Sequence, residues 1–443
     1  MSNGIKILII GSGAREDAIS KAYQENNQVG EIVVAPGNDF IPFGREGVSI
    51  DGNFPLTDVN SMLEIAKKHK PDLIDVAQDD ALASGAVDLL REQGFKVFGP
   101  TRNAARIEWD KGWSREFMKR HDIPCPSFKE FDDKYLDLAT KHLQEIYCKD
   151  PKKLLYVKAA GLCGGKGALK SMNLGEALNH IGTMQKFGVA GKTFLIEEGL
   201  IGEEFSFYVM SDGKNYVVLG SAQDHKTVFN FDEGEQTGGM GAISPAMVTA
   251  SVLNEINKDL VSRTIKGMAE EGFPYEGILY VGGIVVDGKP FVIEFNARWG
   301  DPECQVVIPS LGGNYVNLVM ASLEGKLAKT KFIQDDKTRV CVVGASRGYP
   351  GDYSGVKGKR IYGIEDALKM EGITLLSSGI KVQDGKLSTN GGRLFSIVAE
   401  GDNVIDARER AYATISRISI EGNNLHYRTD IGYRDVKRFR DLK

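Results

Sequence analysis

At 443 residues the chain has room for roughly two to four domains, each with its own core. Its 42% apolar and 26% charged content is that of a soluble globular chain, and a net charge of −5 offers no basic field for nucleic acid or an anionic membrane. No apolar run nears a membrane span in length, the N-terminus reads as a strand entering a glycine turn rather than a cleavable signal, and Cys125, Cys148, Cys163, Cys304 and Cys341 show no metal-ligand spacing, so free thiols in a reducing cytoplasm are expected.

Residues 5–10, IKILII, read as a buried strand, followed by the turn Gly11-Ser12-Gly13-Ala14-Arg15-Glu16 and a helical run from Asp17. Strand, glycine turn and helix open a doubly wound parallel α/β domain. The third glycine of a dinucleotide fingerprint is absent, since Glu16 stands there, so Gly11, Gly13 and Arg15 read better as a seat for an anionic group at a helix N-terminus. The alternation continues with strand EIVVA, a helix over 58–69 carrying Val59, Met62, Leu63, Ile65 and Ala66, and a strand over 73–77. Gln78, Asp79 and Asp80 stand at that strand's carboxyl end, where open α/β sheets place ligands. A helix to Gln93 and a strand over 96–98 lead to Gly99-Pro100-Thr101, which puts a domain border near residue 102.

Residues 103–121 form a charged helix, or a pair, bearing Lys111. Strand SFKEF, a helix over 135–146, strand LLYVKAA, strand GALKSM, a helix over 175–186 and strand TFLIEEGL then outline a small α+β lobe at 124–197. Its centre is LLYVKAAGLCGGKG at 154–167: Lys158 lies in an apolar run, and Gly164, Gly165, Lys166 and Gly167 form a loop. Glycines let backbone N–H groups approach a ligand closely, and with two ammonium groups they suit a polyphosphate. This is not a Walker A loop, because Gly167 stands where Ser or Thr would hold magnesium; an ordinary glycine turn between strands would share the pattern.

The lobe closes with Glu197-Glu198-Gly199-Leu200 and Gly202-Glu203-Glu204. A nucleotide base needs hinge backbone groups and a ribose needs a carboxylate, roles open to Glu197 with Glu203 or Glu204; an exposed acidic loop is the plain alternative. Two hairpins follow, turning at Asp212-Gly213 and Asp287-Gly288. Between them, Asp224 could hold an ammonium group and the backbone of 238–241 an anion, while His225 reads as structural. Glu294 and Asn296 stand two apart on a strand and so share a face, as oxygen ligands suited to magnesium; Arg298 is next in phase for phosphate, before Asp301-Pro302-Glu303. No Ser/His/Asp pattern supports acyl-enzyme chemistry. From near residue 330 a separate α+β piece is expected.

In this order the motifs resemble the ATP-grasp ligases and, more narrowly, the phosphoribosylamine–glycine ligase family. The resemblance rests on GSGARE at 11–16, APGN at 35–38, FGPT at 98–101, KAAGLCGGKG at 158–167, SAQDHK at 221–226, TGGMGAISP at 237–245, EFNARWGDPE at 294–303, YPGDY at 349–353, TNGGR at 389–393 and TDIGYR at 429–434, and so spans the whole chain. It implies an acceptor-binding domain at 1–102, an ATP-grasp domain at 103–329 with the lobe at 124–197 as lid, and a C-terminal domain at 330–443. It implies ATP, magnesium or manganese, and the joining of glycine to 5-phosphoribosylamine through glycyl phosphate, by a cytoplasmic monomer or weak homodimer with no nucleic-acid or membrane partner.

The resemblance also implies roles. Lys111, Lys158 and the 164–167 loop would hold the ATP phosphates, and Glu197, Glu198, Leu200, Glu203 and Glu204 the base and ribose. Glu294 and Asn296 would hold metal, and Arg298 would stabilise the acyl phosphate. Asp224, Lys226, Gly238, Gly239, Met240, Gly241 and Asp301 would face glycine, and Gly11, Gly13, Arg15, Glu16 and Asp79 the acceptor. Asp17 stands where the family usually has histidine and Ala77-Gln78-Asp79 where it has GPE, both beside the expected sugar phosphate. Gly283 stands where the wider superfamily often carries an acid one strand before the metal strand. A ligase for another amino acid or amine is the nearest alternative, and a nucleotide-binding regulator a more distant one.

Overall fold

The computed structural model describes residues 4–164 and 166–441. Five parallel strands form the N-terminal sheet, in the spatial order Val48–Ile50, Val29–Pro36, Ile5–Gly11, Leu73–Val76 and Val97–Phe98. Successive side chains of a strand face opposite ways. Ile7 and Ile9 accordingly pack with Ala18 and Ile19 of helix Ala14–Gln24, whereas Leu8 and Ile10 pack with Met62 and Leu63 of helix Val59–His69. Asp58 caps the second helix by accepting the Ser61 N–H at 3.1 Å, a bond worth about 1 kcal/mol. The strand order reverses between Ile5–Gly11 and Leu73–Val76, so the crevice where such sheets bind ligands opens at Gly11 and Ala77. The helix expected to reach Gln93 is two, Asp79–Ala83 and Ala86–Glu92, because Gly85 takes a left-handed conformation between them.

The small lobe holds the four strands and two helices of its sequence outline. Four antiparallel strands, in the order Phe128–Asp132, Thr193–Glu198, Leu155–Ala159 and Ala168–Ser171, are covered by helices Leu136–Lys149 and Leu174–Thr183. Leu143, Val157, Ile181 and Phe194 fill the core between them.

The large lobe is built on hairpins Glu203–Asp212/Tyr216–Asp224 and Glu276–Val286/Lys289–Asn296. Asp287 and Gly288 both take positive φ, the backbone that two-residue hairpins demand. Their sheet does not stop at the expected border near 330. Gly241–Ser244 pairs with Thr338–Ser346, which pairs with Arg393–Gly401, so one sheet of nine strands crosses into the C-terminal residues. Those residues gather their own core, with Val340, Leu394 and Ile397 under helix Val404–Ile415, yet they are not a separate piece in their hydrogen bonding. Pairing across the border satisfies a strand edge that would otherwise stand open.

The helical stretch Cys304–Leu323 is, by length and composition, apolar enough to cross a membrane, against the expectation that no run approaches a span. Here it is kinked at Gly312 and packs in the core, where Ser322 Oγ donates to the Ser211 carbonyl at 2.7 Å.

Candidate active site

Strand pairing places Tyr156 opposite Glu197 and Lys158 opposite Leu195, so the lysine and the acid point into one interior. Lys158 Nζ lies 2.6 Å from Glu197 Oε2, and Arg115 Nε lies 2.6 Å from Glu197 Oε1. All three are buried. Burial works to raise the Glu197 carboxyl, but Arg115 and Lys158 hold it down at about 2. Glu197 is therefore not a ribose ligand as expected: it fixes Lys158. Arg115 was missed by sequence reasoning, although it stands four residues after Lys111 on the same helix, Lys111–Arg120. That spacing puts both on one face.

The other hinge acids are also engaged. Glu203 takes Gln223 Nε2 at 2.8 Å and Arg438 Nη1 at 2.8 Å, from the C-terminal helix Tyr433–Asp441, and so is not open to a ribose. Glu204 pairs with Lys226 at 3.0 Å, and Glu198 with Ser127 Oγ at 2.9 Å and with Lys153. The Gly199 N–H bonds the Leu154 carbonyl at 2.8 Å, whereas the Leu200 N–H has no partner among the described residues, as a donor for a base would require. In the glycine loop, Gly164 takes a positive φ, Lys166 is exposed and Gly167 is buried. Gly165 lies outside the described residues. Lys111 Nζ reaches the Gly161 carbonyl at 3.3 Å, so that lysine borders the loop.

Glu294 faces this lobe from the end of strand Lys289–Asn296. The register shifts there, with Gly282 opposite Glu294 but Gly283 opposite Val292, so Ile293 is a bulge. The Ile293 carbonyl, freed by the bulge, accepts from Arg115 Nη2. Gly282, rather than Gly283, is thus the residue opposite the metal-strand acid. Glu294 makes no side-chain hydrogen bond among the described residues. Burial acts to raise its pKa, yet Lys226, Lys111, Lys158 and Arg298, in that order, hold it below the usual carboxylate range. The neighbouring Asn296 has a buried Nδ2 without a partner. No group of three or more His, Cys, Asp or Glu able to hold a metal occurs among the described residues. A hard cation fits the free Glu294 carboxylate and the Asn296 Oδ1, with phosphate oxygens completing its shell and one of them accepting from Asn296 Nδ2.

Arg298 Nη2 lies 2.8 Å from Glu108 Oε1 and 3.6 Å from Asp79 Oδ2, and Nη1 donates to the Trp299 carbonyl at 3.2 Å; Nε is buried and unpartnered. Burial pushes Glu108 up to about 7 even against Arg298. Asp79 is half-buried, and Arg298 and Arg15 outweigh its desolvation and hold it below its ordinary value.

The crevice of the N-terminal sheet corrects the expected anion seat. Glu16 Oε2 accepts the Gly13 N–H at 2.6 Å, the Ser12 N–H at 3.2 Å and Gln78 Nε2 at 3.2 Å. Arg15 Nε donates to Glu16 Oε1 at 2.6 Å and Arg15 Nη1 to the Trp299 carbonyl at 2.9 Å. The chain's own acid fills the cradle. Gly11 is required by contact, since a Cβ there would lie 2.4 Å from Glu16 Cγ. Asp17 does not charge the crevice: Arg45 Nη1 meets it at 3.0 Å and the Ser377 N–H at 2.9 Å.

On the large lobe, a cavity is lined by Glu204, Ser206, Asp224, Lys226, Tyr280 and Glu294, among others. Asp224 Oδ1 and Tyr208 Oη are buried without partners. Burial, then Glu303, push the Asp224 carboxyl well above its ordinary value. Ser206 Oγ lies 3.0 Å from Glu303 Oε1. The loop expected to bind an anion through its backbone has little left to donate: Gly238 N–H bonds Tyr349 Oη, Gly239 N–H bonds Thr237 Oγ1, and Met240 N–H bonds the His225 carbonyl. Gly241 belongs to the nine-stranded sheet. Arg393, also missed, holds the Gly238 carbonyl at 2.6 Å and Asp301 Oδ1 at 3.2 Å. Buried among Arg428 and other groups, His225 is pushed down to about 4, and its Nε2 accepts the Gly432 N–H at 3.1 Å, the structural role expected of it.

Family models for phosphoribosylglycinamide synthetase match the chain in sequence: its N domain at residues 5–108, its ATP-grasp domain at 109–304 and its C domain at 339–434. The chain is 40% identical over 441 residues to the phosphoribosylamine–glycine ligase of Pasteurella multocida, covering 98% of this chain and 99% of that one. It is 38% identical over 431 residues to the enzyme of the same name from Caldanaerobacter subterraneus, covering 96% and 99%. The crystal structure of phosphoribosylamine–glycine ligase from Thermotoga maritima superposes with a TM-score of 0.79 at 30% identity, covering 96% and 100%.

Proposed function

Because the chain belongs to the phosphoribosylglycinamide synthetase family, we propose that the cleft between its small and large lobes activates glycine as glycyl phosphate. The chain is an ATP-grasp ligase of purine biosynthesis that joins glycine to 5-phosphoribosylamine, giving glycinamide ribonucleotide, ADP and phosphate. A carboxylate is a poor acyl donor, and phosphorylation turns its oxygen into a leaving group. The protein's work is then to align reactants and balance charge.

One observation carries the assignment of the phosphate site: Glu294 makes no side-chain hydrogen bond among the described residues, and the charges of Lys226, Lys111, Lys158 and Arg298 hold it below the usual carboxylate range. Lys158, Lys226 and Arg298 are each paired with an acid, Glu197, Glu204 and Glu108, so among the described residues Lys111 is the one of the four with no carboxylate partner, and it is open to a phosphate. Lys158, held by Glu197, and Lys111 grip the phosphates, and the 164–167 loop covers them. Glu294 and Asn296 would hold magnesium or manganese, which when bound neutralises the β- and γ-phosphate oxygens. Arg298 Nε is the donor for the transferring phosphoryl group. Asp224, whose buried Oδ1 has no hydrogen-bond partner and which feels the charge of Glu303, suits the glycine ammonium. A Cβ at Gly239 would lie 2.9 Å from Asp224 Oδ1, so there is little room beside that acid. Asp79, Arg15 and Glu16 line the crevice on the acceptor side, and closure of the small lobe keeps water from the acyl phosphate. We place the domain borders near 102 and 330, with the sheet continuous across the second.

The test is ADP release with glycine alone and with 5-phosphoribosylamine generated in place, across a panel of amino acids. Release should require both substrates and fall with any amino acid larger than glycine. Equal release with alanine, or release indifferent to the amine, refutes the glycine and acceptor assignments. Arg298→Ala should lower turnover by about a thousandfold while ATP binding survives; near-normal turnover removes it from the chemistry.

A further inference from the structure

We propose that Glu108 is the positioning residue that aims Arg298 at the transferring phosphoryl group, an inference that rests on the assignment of Arg298 above. Glu108 sits on the short helix Arg106–Trp109, where the chain leaves the N-terminal domain. Its carboxylate is buried and bridges two points of one turn. Oε1 lies 2.8 Å from Arg298 Nη2, and Oε2 accepts the Ala297 N–H at 2.7 Å. The acid thus holds both the guanidinium and the backbone just before it, and Ala297 follows the proposed metal ligand Asn296.

An arginine side chain has many rotamers, and a single contact leaves most of them open. Here Glu108 and Asp79 stand beside Nη2, the Trp299 carbonyl takes Nη1, and only Nε is left buried without a partner. A guanidinium tied at both terminal nitrogens can present one remaining edge, and that edge carries the free N–H. The same stretch of chain continues through Asp110, which caps helix Lys111–Arg120 by accepting the Trp113 N–H at 3.0 Å. That helix supplies Lys111 and, through Arg115, the hold on Glu197 and Lys158. One linker therefore sets the cationic groups of both lobes, and Glu108 is its contact with the large one.

The experiment is a double-mutant cycle read in turnover. Glu108→Gln keeps the shape and an oxygen for the Ala297 N–H but turns an amide NH2 donor toward Arg298 Nη2 in place of the accepting oxygen. We expect kcat to fall about a hundredfold, the loss that follows a misplacement of about 1 Å, with the KM for ATP changed less than about threefold. In an Arg298→Lys background the same change should lower kcat by no more than about threefold, because its route of action is already gone. Equal fold losses in the two backgrounds, or wild-type kcat in Glu108→Gln, overturn the positioning role. If Arg298→Lys itself turns over normally, it is the assignment of Arg298 that fails. Thermal denaturation of each variant checks folding. Where Glu108→Gln unfolds too early to assay, Glu108→Asp replaces it: lowered kcat at unchanged KM for ATP supports the proposal, and wild-type kcat overturns it.

Discussion

Glu197→Gln separates two readings of one acid. A carboxylate that binds ribose would, when lost, weaken nucleotide binding and leave the fold alone. The structure instead buries Glu197 between Lys158 at 2.6 Å and Arg115 at 2.6 Å. Its carboxyl, ordinarily near 4.5, is held at about 2, a difference worth about 3 kcal/mol. Breaking a buried pair by removing one partner costs about 3–5 kcal/mol, so the two routes agree in size. Urea unfolding at pH 7 should therefore show the variant about 3 kcal/mol less stable. The sign with pH is set by the lowered pKa. The contribution is complete above 4.5 and drains as pH falls toward 2, so wild type and variant should converge in acid. Nucleotide binding should follow Lys158. Burial already lowers its pKa and Glu197 pulls it back. Without the acid it falls further, so the variant should bind a non-hydrolysable ATP analogue more weakly at pH 8 and recover part of the loss at pH 6. A stability difference below about 1 kcal/mol at pH 7, with analogue affinity that ignores pH, would refute the triad.

Three other changes test separate parts of the structure. Glu294→Gln should abolish metal-dependent ADP formation and also lower the melting temperature at neutral pH, because the cations that hold its pKa down lose their counter-charge; an unchanged response to a magnesium titration would refute the site. Gly239→Ala should raise the KM for glycine by about tenfold or more, since Gly239 has a φ of +105 and a Cβ would lie 2.3 Å from Pro302 Cδ and 2.9 Å from Asp224 Oδ1; steady-state kinetics with varied glycine checks this. Asp75→Asn should stabilise the protein in alkali. Burial pushes Asp75 up to about 7, against the bonds it accepts from Tyr23 Oη at 2.8 Å and Tyr315 Oη at 3.3 Å. The protonated acid favours the folded state fully below 3.8, and that advantage is lost as pH rises through 7. The amide has no such loss and should lead by up to about 4 kcal/mol at pH 8 and by little at pH 4, as melting curves at the two values would show.

Backbone path was largely legible. Alternating apolar runs and glycine turns marked the parallel sheet, the lid strands and both hairpins, because those signals act within a few residues. The phase of Glu294, Asn296 and Arg298 was legible for the same reason: one strand carries the first two and Arg298 continues past its end. What local pattern could not show is who satisfies whom. Three loops with the look of an anion seat were read as donors. In two of them the donors are taken: Glu16 closes back on Gly13, and the Gly238, Gly239 and Met240 N–H groups go to Tyr349, Thr237 and His225. A buried N–H must find an acceptor whether or not a ligand comes, and in an α/β crevice the cheapest acceptor is often the chain itself. The same holds for the hinge acids. Glu197 and Glu203 look alike in sequence, yet Arg115 claims one and Arg438, from the last helix, claims the other. Each partner stands far along the chain and is brought near only when the sheets assemble. The C-terminal residues are part of that assembly, since their strands extend the large lobe's own sheet. They therefore brace the proposed site, with Tyr349, Arg393 and Arg438 each bonded to a residue beside it. A loop's sequence tells where a ligand could be gripped; whether the grip is free depends on residues that only tertiary structure puts in reach.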